Sequence, residues 1–467
     1  MNPTQADQVV DESATMIRDR WSGEPLGTFP TGGASEAQDA VTAAVRAMEI
    51  GLAIPQRSAV LAKVADYIAD RAEDFARAIR QETGKPVSAA RVEVGRAVGT
   101  LRYSAEEARR LPSEAVPLNA TEAGAGTLAL TVAEPRGVVA AITPFNFPIN
   151  LVVHKIGPAL AAGCALVFKP SDKAVLVATM LVAAFAECGL PAGWLNLVTG
   201  PAEPIVGAWL KDDRVAVITF TGSSNVGWKI KADSPRKMHI LELGSNTAMY
   251  VHGDADLPRA VADAVTAGYG NSGQACVSLQ RLYVHQDVAE EFTELLTTAV
   301  AAIPFGDPSD PATIVGPLIT PLATEKVMAW IDEAVAGGAR VRQGGAITLQ
   351  VVAPTLLTDV PTDSPLIREE VFGPVVTVIP VAGLEHALSD INSSDFGLNA
   401  AVHTRSLAVA MEFGRRAQAG SVLVNMPPSF RADHMPYGGV KHSGQGREGV
   451  KYAVEELVHL KLIVFKP

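Results

Sequence analysis

At 467 residues the chain exceeds what one ordinary hydrophobic core organises, so two or three domains are expected; 48% hydrophobic and 19% charged residues exclude a disordered or fibrous polypeptide. A net charge of −11 without any Lys/Arg-rich run speaks against nucleic acid or an anionic membrane as main partner, while leaving room for a local basic pocket. Only Cys164, Cys188 and Cys276 carry thiols, far apart and with no CxxC pair, which disfavours a disulfide framework or thiolate metal site and suits a reducing cytoplasm.

The N-terminus, MNPTQADQVVDESATM, has neither a basic start nor an apolar stretch, so it is not expected to be a secretory signal. Residues 36–110 are rich in Ala, Glu and Arg with apolar residues at helical spacing, and Gly84 and Pro86 supply a stop; packed helices are predicted. The segment LALTVA, 128–133, reads as an extended piece crossing between bodies. From 137 to 242 short β-rich runs alternate with helical stretches. The strands are VVAAIT (138–143), ALVFK (165–169), LNLV (195–198), VAVITF (215–220) and MHILEL (238–243), which together predict a parallel sheet covered on both faces, with ligands at its carboxyl ends. The apolar runs 156–168 and 174–186 are too short to span a bilayer and belong in a core. Residues 246–425 mix both element types and suffice for a second α/β domain. The tail LVHLKLIVFKP is apolar and β-prone, and needs pairing with another element or subunit.

Several short motifs carry chemistry. GQGREG, with Gly444, Gly446 and Gly449, matches G-x-G-x-x-G literally, but only 18 residues follow it, too few for the βαβ unit a dinucleotide loop requires. FTGSSNVG is better placed: Gly222 and Ser223 follow a strand and precede a helix, where free N–H groups suit a phosphate, although an ordinary capped helix start has the same composition. Lys169 and Asp172 of FKPSD lie beyond the second strand, where a doubly wound fold receives a ribose. The acid there favours NAD and disfavours the 2′-phosphate of NADP, a preference that Lys173 weakens. In TPFNFP, Asn146 sits between two stiffening prolines, fit to donate to an oxyanion or simply to turn the chain. Glu242, at the end of an apolar run, is either a base with a raised pKa or half of an inward salt bridge. Cys164 and Cys188 fit a core. Cys276, in the turn GNSGQACVS, fits one worst and is the candidate nucleophile. The nine histidines show no ligand-like spacing, so no metal is proposed.

Taken in order, PFNFP, FKPS, FTGS, LELG, GQAC, EEVFGP and PYGGVKHSGQGREG resemble the successive motifs of the NAD(P)-dependent aldehyde dehydrogenase superfamily, from about residue 20 to the C-terminus. The resemblance implies a Rossmann-like doubly wound cofactor domain (1–117 and 136–242), a second α/β catalytic domain (243–446), and a small β bridging and oligomerisation element (118–135 and 447–467), in a homodimer or homotetramer. It implies Cys276 as nucleophile, the Asn146 amide and Cys276 N–H as oxyanion hole, Glu242 as the base that activates water, and Glu448 as a second carboxylate relaying its proton. Thr143, Pro144, Phe145, Lys169, Ser171, Asp172, Gly222, Ser223, Leu243, Glu370 and Phe372 would hold NAD, with NADP as the alternative. Ser245 stands where many members have glycine. Phe147, Asn150, His154, Arg431 and Tyr437 would line the substrate tunnel. Its polarity implies a small hydroxylated or anionic aldehyde, such as lactaldehyde, glycolaldehyde or a sulfo- or phospho-substituted analogue, unless Arg431 merely pairs with Asp433 at the surface. Two rival readings are an acylating enzyme that uses coenzyme A, whose members generally lack the glutamate at 242, and a cysteine hydrolase that turns over without nicotinamide.

Overall fold

The computed structural model describes residues 14–466, so most of the N-terminal segment read above, 1–13, lies outside the described residues. The predicted helical region folds as four helices, Ala34–Ile50, Ile54–Asp70, Ala72–Thr83 and Val87–Glu107. The long periodic run is two helices broken at Arg71, whose φ of −117° leaves the α region. Gly84 ends the third helix in the left-handed conformation (φ +73°) that glycine adopts without a Cβ penalty, and Pro86 caps the next.

Five parallel strands follow in the spatial order Leu195–Leu197, Leu166–Lys169, Val138–Ile142, Val215–Thr221, Met238–Glu242. They are the five read from the sequence, with ends displaced by one residue or so. Every residue of Val138–Ile142 and Leu166–Lys169 is buried, as the continuous apolar runs required of a sheet covered on both faces. The first crossover helix, Asn150–Ala162, is buried along its whole length. Among the described residues no helix is long and apolar enough to cross a membrane.

The chain returns to this sheet at its far end. Gly444–Gln445 adds an antiparallel edge strand beside Met238–Glu242, pairing Gly444 with Glu242. Gly444 has φ +150°, and a Cβ there would lie 2.2 Å from the Leu241 carbonyl oxygen, so the glycines of GQGREG serve close backbone approach, with no βαβ unit around them.

A second sheet of seven strands runs Arg340–Gln343, Thr355–Thr358, Val375–Val381, Leu279–His285, Thr247–Val251, Asn399–His403, Ser421–Val424, parallel except for its first member. A third, small sheet pairs Leu128–Pro135 with Val458–Phe465 on one side and Ala115–Val116 on the other. The crossing segment and the apolar tail thus satisfy each other's backbone. Helix Val450–Leu457, between them in sequence, buries Val454 and Leu457 in the core of the first body, so the stretch 447–467 splits between that core and the small sheet.

Candidate active site

Three turns bring the candidate residues together. Asn146 lies on the loop leaving strand Val138–Ile142, and Glu242 closes strand Met238–Glu242, both at the carboxyl ends of the first sheet. Cys276 enters from the second body, between helix Leu257–Tyr269 and strand Leu279–His285. The turn before it is strained: Asn271 and Ser272 have φ of +52° and +58°, and a Cβ on Gly273 would meet the Gly373 carbonyl oxygen at 2.0 Å. Left-handed non-glycine residues cost about 1–3 kcal/mol each and persist where surrounding bonds hold them. Here Asn271 Nδ2 donates to the carbonyls of Asn146 (3.3 Å) and Gln274 (3.0 Å), and Ser272 Oγ donates to that of Gly316 (3.1 Å). Asn146 Nδ2 donates to the Gln274 carbonyl at 3.0 Å, keeping its second N–H hydrogen uncommitted.

Cys276 stands in a wall shared by two cavities. One, of about 350 Å³, is lined by Phe147, Asn150, Tyr437, Arg96 and Arg431. The other, of about 210 Å³, is lined by Pro144, Phe145, Asn146, Gly222, Ser223, Glu242, Leu243, Glu370 and Phe372. Phe372, itself at φ +56°, meets Phe145 edge-on with ring centroids 6.0 Å apart. A third, larger cleft of about 730 Å³ lies between helices Ala202–Lys211 and Ser224–Asp233; its apolar wall of Ile142, Val206, Val226 and Ile230 suits a flat ring system, and its helix-borne residues escaped the motif search.

The cavity electrostatics are set by burial. The Cys276 thiol is pushed up to about 12, chiefly by burial, with the Tyr437 hydroxyl 3.3 Å from Sγ pulling the other way. Burial, then the charge of Glu448, holds the Glu242 carboxyl well above the usual range. Glu448 moves oppositely: the penalty of burial is outweighed by Lys155 at 2.8 Å and Arg431 at 3.0 Å. Glu448 is therefore a fixed anion, which argues against the proton relay inferred for it; a carboxylate clamped by two cations has little affinity for a proton. Glu370 accepts from the Ser245 N–H at 3.0 Å and is raised to about 7 by burial. Ser245 occupies the glycine position without a left-handed backbone, its hydroxyl 3.3 Å from that of Thr247.

A polar ligand is implied by what is left unpaired. Among the described residues, the buried hydroxyls of Thr143, Thr221 and Ser224, the Asn146 Oδ1 and both Glu242 oxygens have no partner. Most of them ring the carboxyl end of the first sheet, where a dinucleotide's phosphates and nicotinamide fit. Lys169 Nζ is bonded to Asp172 Oδ1 at 2.5 Å, leaving the half-exposed carboxylate able to accept from a ribose, while Ser171 Oγ is engaged with the Lys173 N–H.

One tunnel assignment needs correction, and the alternative offered for another falls. His154 is fully buried and lines neither cavity; its Nε2 lies 3.0 Å from Asp433 Oδ1 behind the wall, and burial lowers its pKa to about 4, so it is a neutral donor to that carboxylate. Arg431 does not pair with Asp433 at the surface. It lies buried against Glu448, its guanidinium carbon 3.8 Å over the Tyr437 ring, and Arg96 takes Asp433 instead. The sequence reading also missed Lys155, which reaches Glu448 and, at 3.1 Å, Thr219. A lysine inside the largely apolar helix NLVVHKIGPALAA was the available signal, since a wholly buried cation demands an acid.

A doubly wound sheet with cavities at its carboxyl ends, one of them walled by a cysteine, fits the class of nicotinamide-dependent α/β oxidoreductases. The chain belongs to the aldehyde dehydrogenase family, whose model matches residues 9–463. It is similar to the 3-sulfolactaldehyde dehydrogenase of Priestia megaterium, 40% identical over 449 residues that cover 96% of this chain and 94% of the relative. It is also similar to the lactaldehyde dehydrogenase of Methanococcus vannielii, 38% identical over 413 residues, covering 88% and 87%. Among solved structures, the glyceraldehyde-3-phosphate dehydrogenase of Methanocaldococcus jannaschii complexed with NADP matches with a TM-score of 0.93 at 34% identity, covering 98% of this chain and 100% of that one.

Proposed function

We propose that this aldehyde dehydrogenase oxidises a small hydroxylated or anionic aldehyde to its acid by thioester chemistry on Cys276. The observation that carries the reading is the position of Cys276 in the wall between a cavity bearing arginines and one bearing Asn146 and Glu242. Sγ adds to the aldehyde carbon, and the Asn146 amide with the Cys276 N–H receives the oxyanion. Phe145 and Phe372 would hold a nicotinamide in the smaller cavity, and that group would supply the hydride acceptor. Glu242 takes a proton from water, whose oxygen attacks the thioester and frees the acid and the thiol. One aldehyde and one water give one carboxylate and two protons, and the aldehyde hydrogen with its two electrons would leave as hydride to the nicotinamide.

The relatives' names, 3-sulfolactaldehyde and lactaldehyde dehydrogenase, support a substrate with a hydroxyl or an anionic group near the carbonyl. The three sheets support domain limits near residues 118, 136 and 243, with the return of 444–457 to the first body as an amendment. The free edge of Val458–Phe465 favours a homodimer or homotetramer, and three unpaired thiols favour the cytoplasm. The test is formation of reduced cofactor across an aldehyde panel with NAD and with NADP, using Cys276→Ala as blank. Turnover that requires coenzyme A, or product formation without nicotinamide, would overturn the hydrolytic scheme.

A further inference from the structure

The cavity beside Cys276 holds two guanidinium groups with different commitments. Arg431 is 8% exposed at its side chain, donates from Nη2 to Glu448 and covers the ring of Tyr437, whose hydroxyl touches the Cys276 thiol. Its contacts are therefore with the groups that set the thiol and the buried carboxylates. Arg96 comes from the helix Val87–Glu107, which packs against the first crossover helix, and its side chain is 27% exposed. It forks onto Asp433, with Nη2 at 2.7 Å from Oδ1 and Nε at 3.2 Å from Oδ2. That fork uses two of its five N–H donors and leaves the others for the cavity it lines.

Asp433 does not depend on Arg96 alone. Its Oδ1 also receives Asn150 Nδ2 at 3.2 Å and lies 3.0 Å from His154 Nε2, so the carboxylate keeps two donors if the guanidinium turns toward another anion. Arg431 has no such slack, since moving it would strip Glu448 of one of two cations in a fully buried site.

We propose that Arg96 is the residue that selects the substrate, its guanidinium holding a carboxylate, sulfonate or phosphate at the far end of a short aldehyde. Asp433 stations Arg96 at the cavity until substrate arrives. Arg431, by contrast, is a positioning residue acting through Tyr437 and Glu448. Phe147 and Asn150 line the same cavity as Arg96 and the thiol. A planar fork that can take two oxygens of one anion explains why an arginine, with its fixed geometry, stands there.

This inference rests on the aldehyde-oxidising reading, and one experiment separates the two. The kcat/KM for sulfoacetaldehyde and for succinic semialdehyde is divided by that for propanal, in wild type, Arg96→Gln, Arg96→Lys and Arg431→Gln. The wild type is expected to favour both anions, Arg96→Gln to lose at least about tenfold of that ratio through KM, and Arg96→Lys to retain part of it. A general folding defect lowers numerator and denominator alike and leaves the ratio standing. Arg431→Gln should keep the ratio, lower kcat on every aldehyde and shift the pH profile of Cys276 alkylation by iodoacetamide. A wild type that oxidises propanal as well as the anions removes the substrate class while sparing aldehyde oxidation. An anion preference that survives Arg96→Gln, or that collapses in Arg431→Gln instead, overturns the role given to Arg96.

Discussion

Burial pushes the Cys276 thiol up to about 12, and the neighbouring carboxyl groups of Glu370 and Glu242 add to the shift. Glu242 shares the smaller cavity and is itself raised by burial and by Glu448. A carboxyl with an elevated pKa is protonated, and useless as a base, over a wider acid range than a free glutamate. The rate should therefore climb with pH on the acid side, with its limb displaced upward from the ordinary carboxylate value. Glu242→Gln is expected to lower steady-state kcat by roughly 10²–10⁴-fold and to flatten that limb. Acylation still proceeds in this variant, so rapid mixing should show a burst of about one equivalent of reduced cofactor per site. Absence of the burst together with the turnover would place Glu242 in thiol activation instead. At this scale the sequence was most legible where chemistry forces an odd residue into a regular context: a cysteine among Gly and Ser, a glutamate in an apolar strand, an asparagine between prolines. It gave Asp433 only as a surface partner of Arg431, because nothing local to RADH distinguishes a partner of Arg431 from a partner of Arg96, 337 residues away.

The loop that carries Asn146 is fastened from below by an element no motif announced. Glu93, on helix Val87–Glu107, accepts at Oε1 from the N–H groups of Ile149 (2.9 Å) and Asn150 (3.1 Å), satisfying the free donors at the start of helix Asn150–Ala162. Its other oxygen binds Lys85 Nζ at 2.5 Å, and that ammonium sits 3.9 Å from the centre of the Phe147 ring. Removing one partner of a buried pair leaves the other charge uncompensated, at a cost of about 3–5 kcal/mol. Glu93→Gln should accordingly lower the unfolding free energy measured by urea titration by an amount of that order, shifting the midpoint down with it, and reduce kcat as Asn146 loses its fixed approach. Restoring neutrality with Lys85→Met in the same chain should recover much of the midpoint but little of the kcat, since the caps on Ile149 and Asn150 stay weakened. Equal recovery of both would mean that the pair serves stability alone. Helices and parallel strands were readable because their periods repeat over many residues. The Glu93 cap was not, since it joins two helices whose contact is decided only when the first sheet has been covered.

The third sheet leaves one edge of the molecule unfinished. Val458–Phe465 pairs along its full length with Leu128–Pro135, yet it is the outer strand, and Leu460, Leu462 and Val464 project on one face at about half exposure. The opposite face carries His459 and Lys461, set against Glu134, followed by Ile463 and Phe465. An eight-residue edge of this kind, apolar on one side and with free backbone groups, invites pairing with a second chain; natural proteins otherwise blunt it with charge or proline. The tail's alternation was visible in LVHLKLIVF, but which partner covers it is a property of the assembly and of no single chain. Leu462→Lys places a charge at the centre of the apolar face while leaving the pairing with Leu128–Pro135 available. Sedimentation velocity should show the wild type as a dimer or tetramer and Leu462→Lys shifted toward monomer. Because Cys276, Glu242 and Asn146 are drawn from the first two sheets of the same chain, the dissociated variant should keep a measurable thiol titration by a disulfide reagent, even where heat stability falls. A wild type that sediments as a monomer at micromolar concentration would sink the assembly and leave the exposed edge to be explained by some other cover.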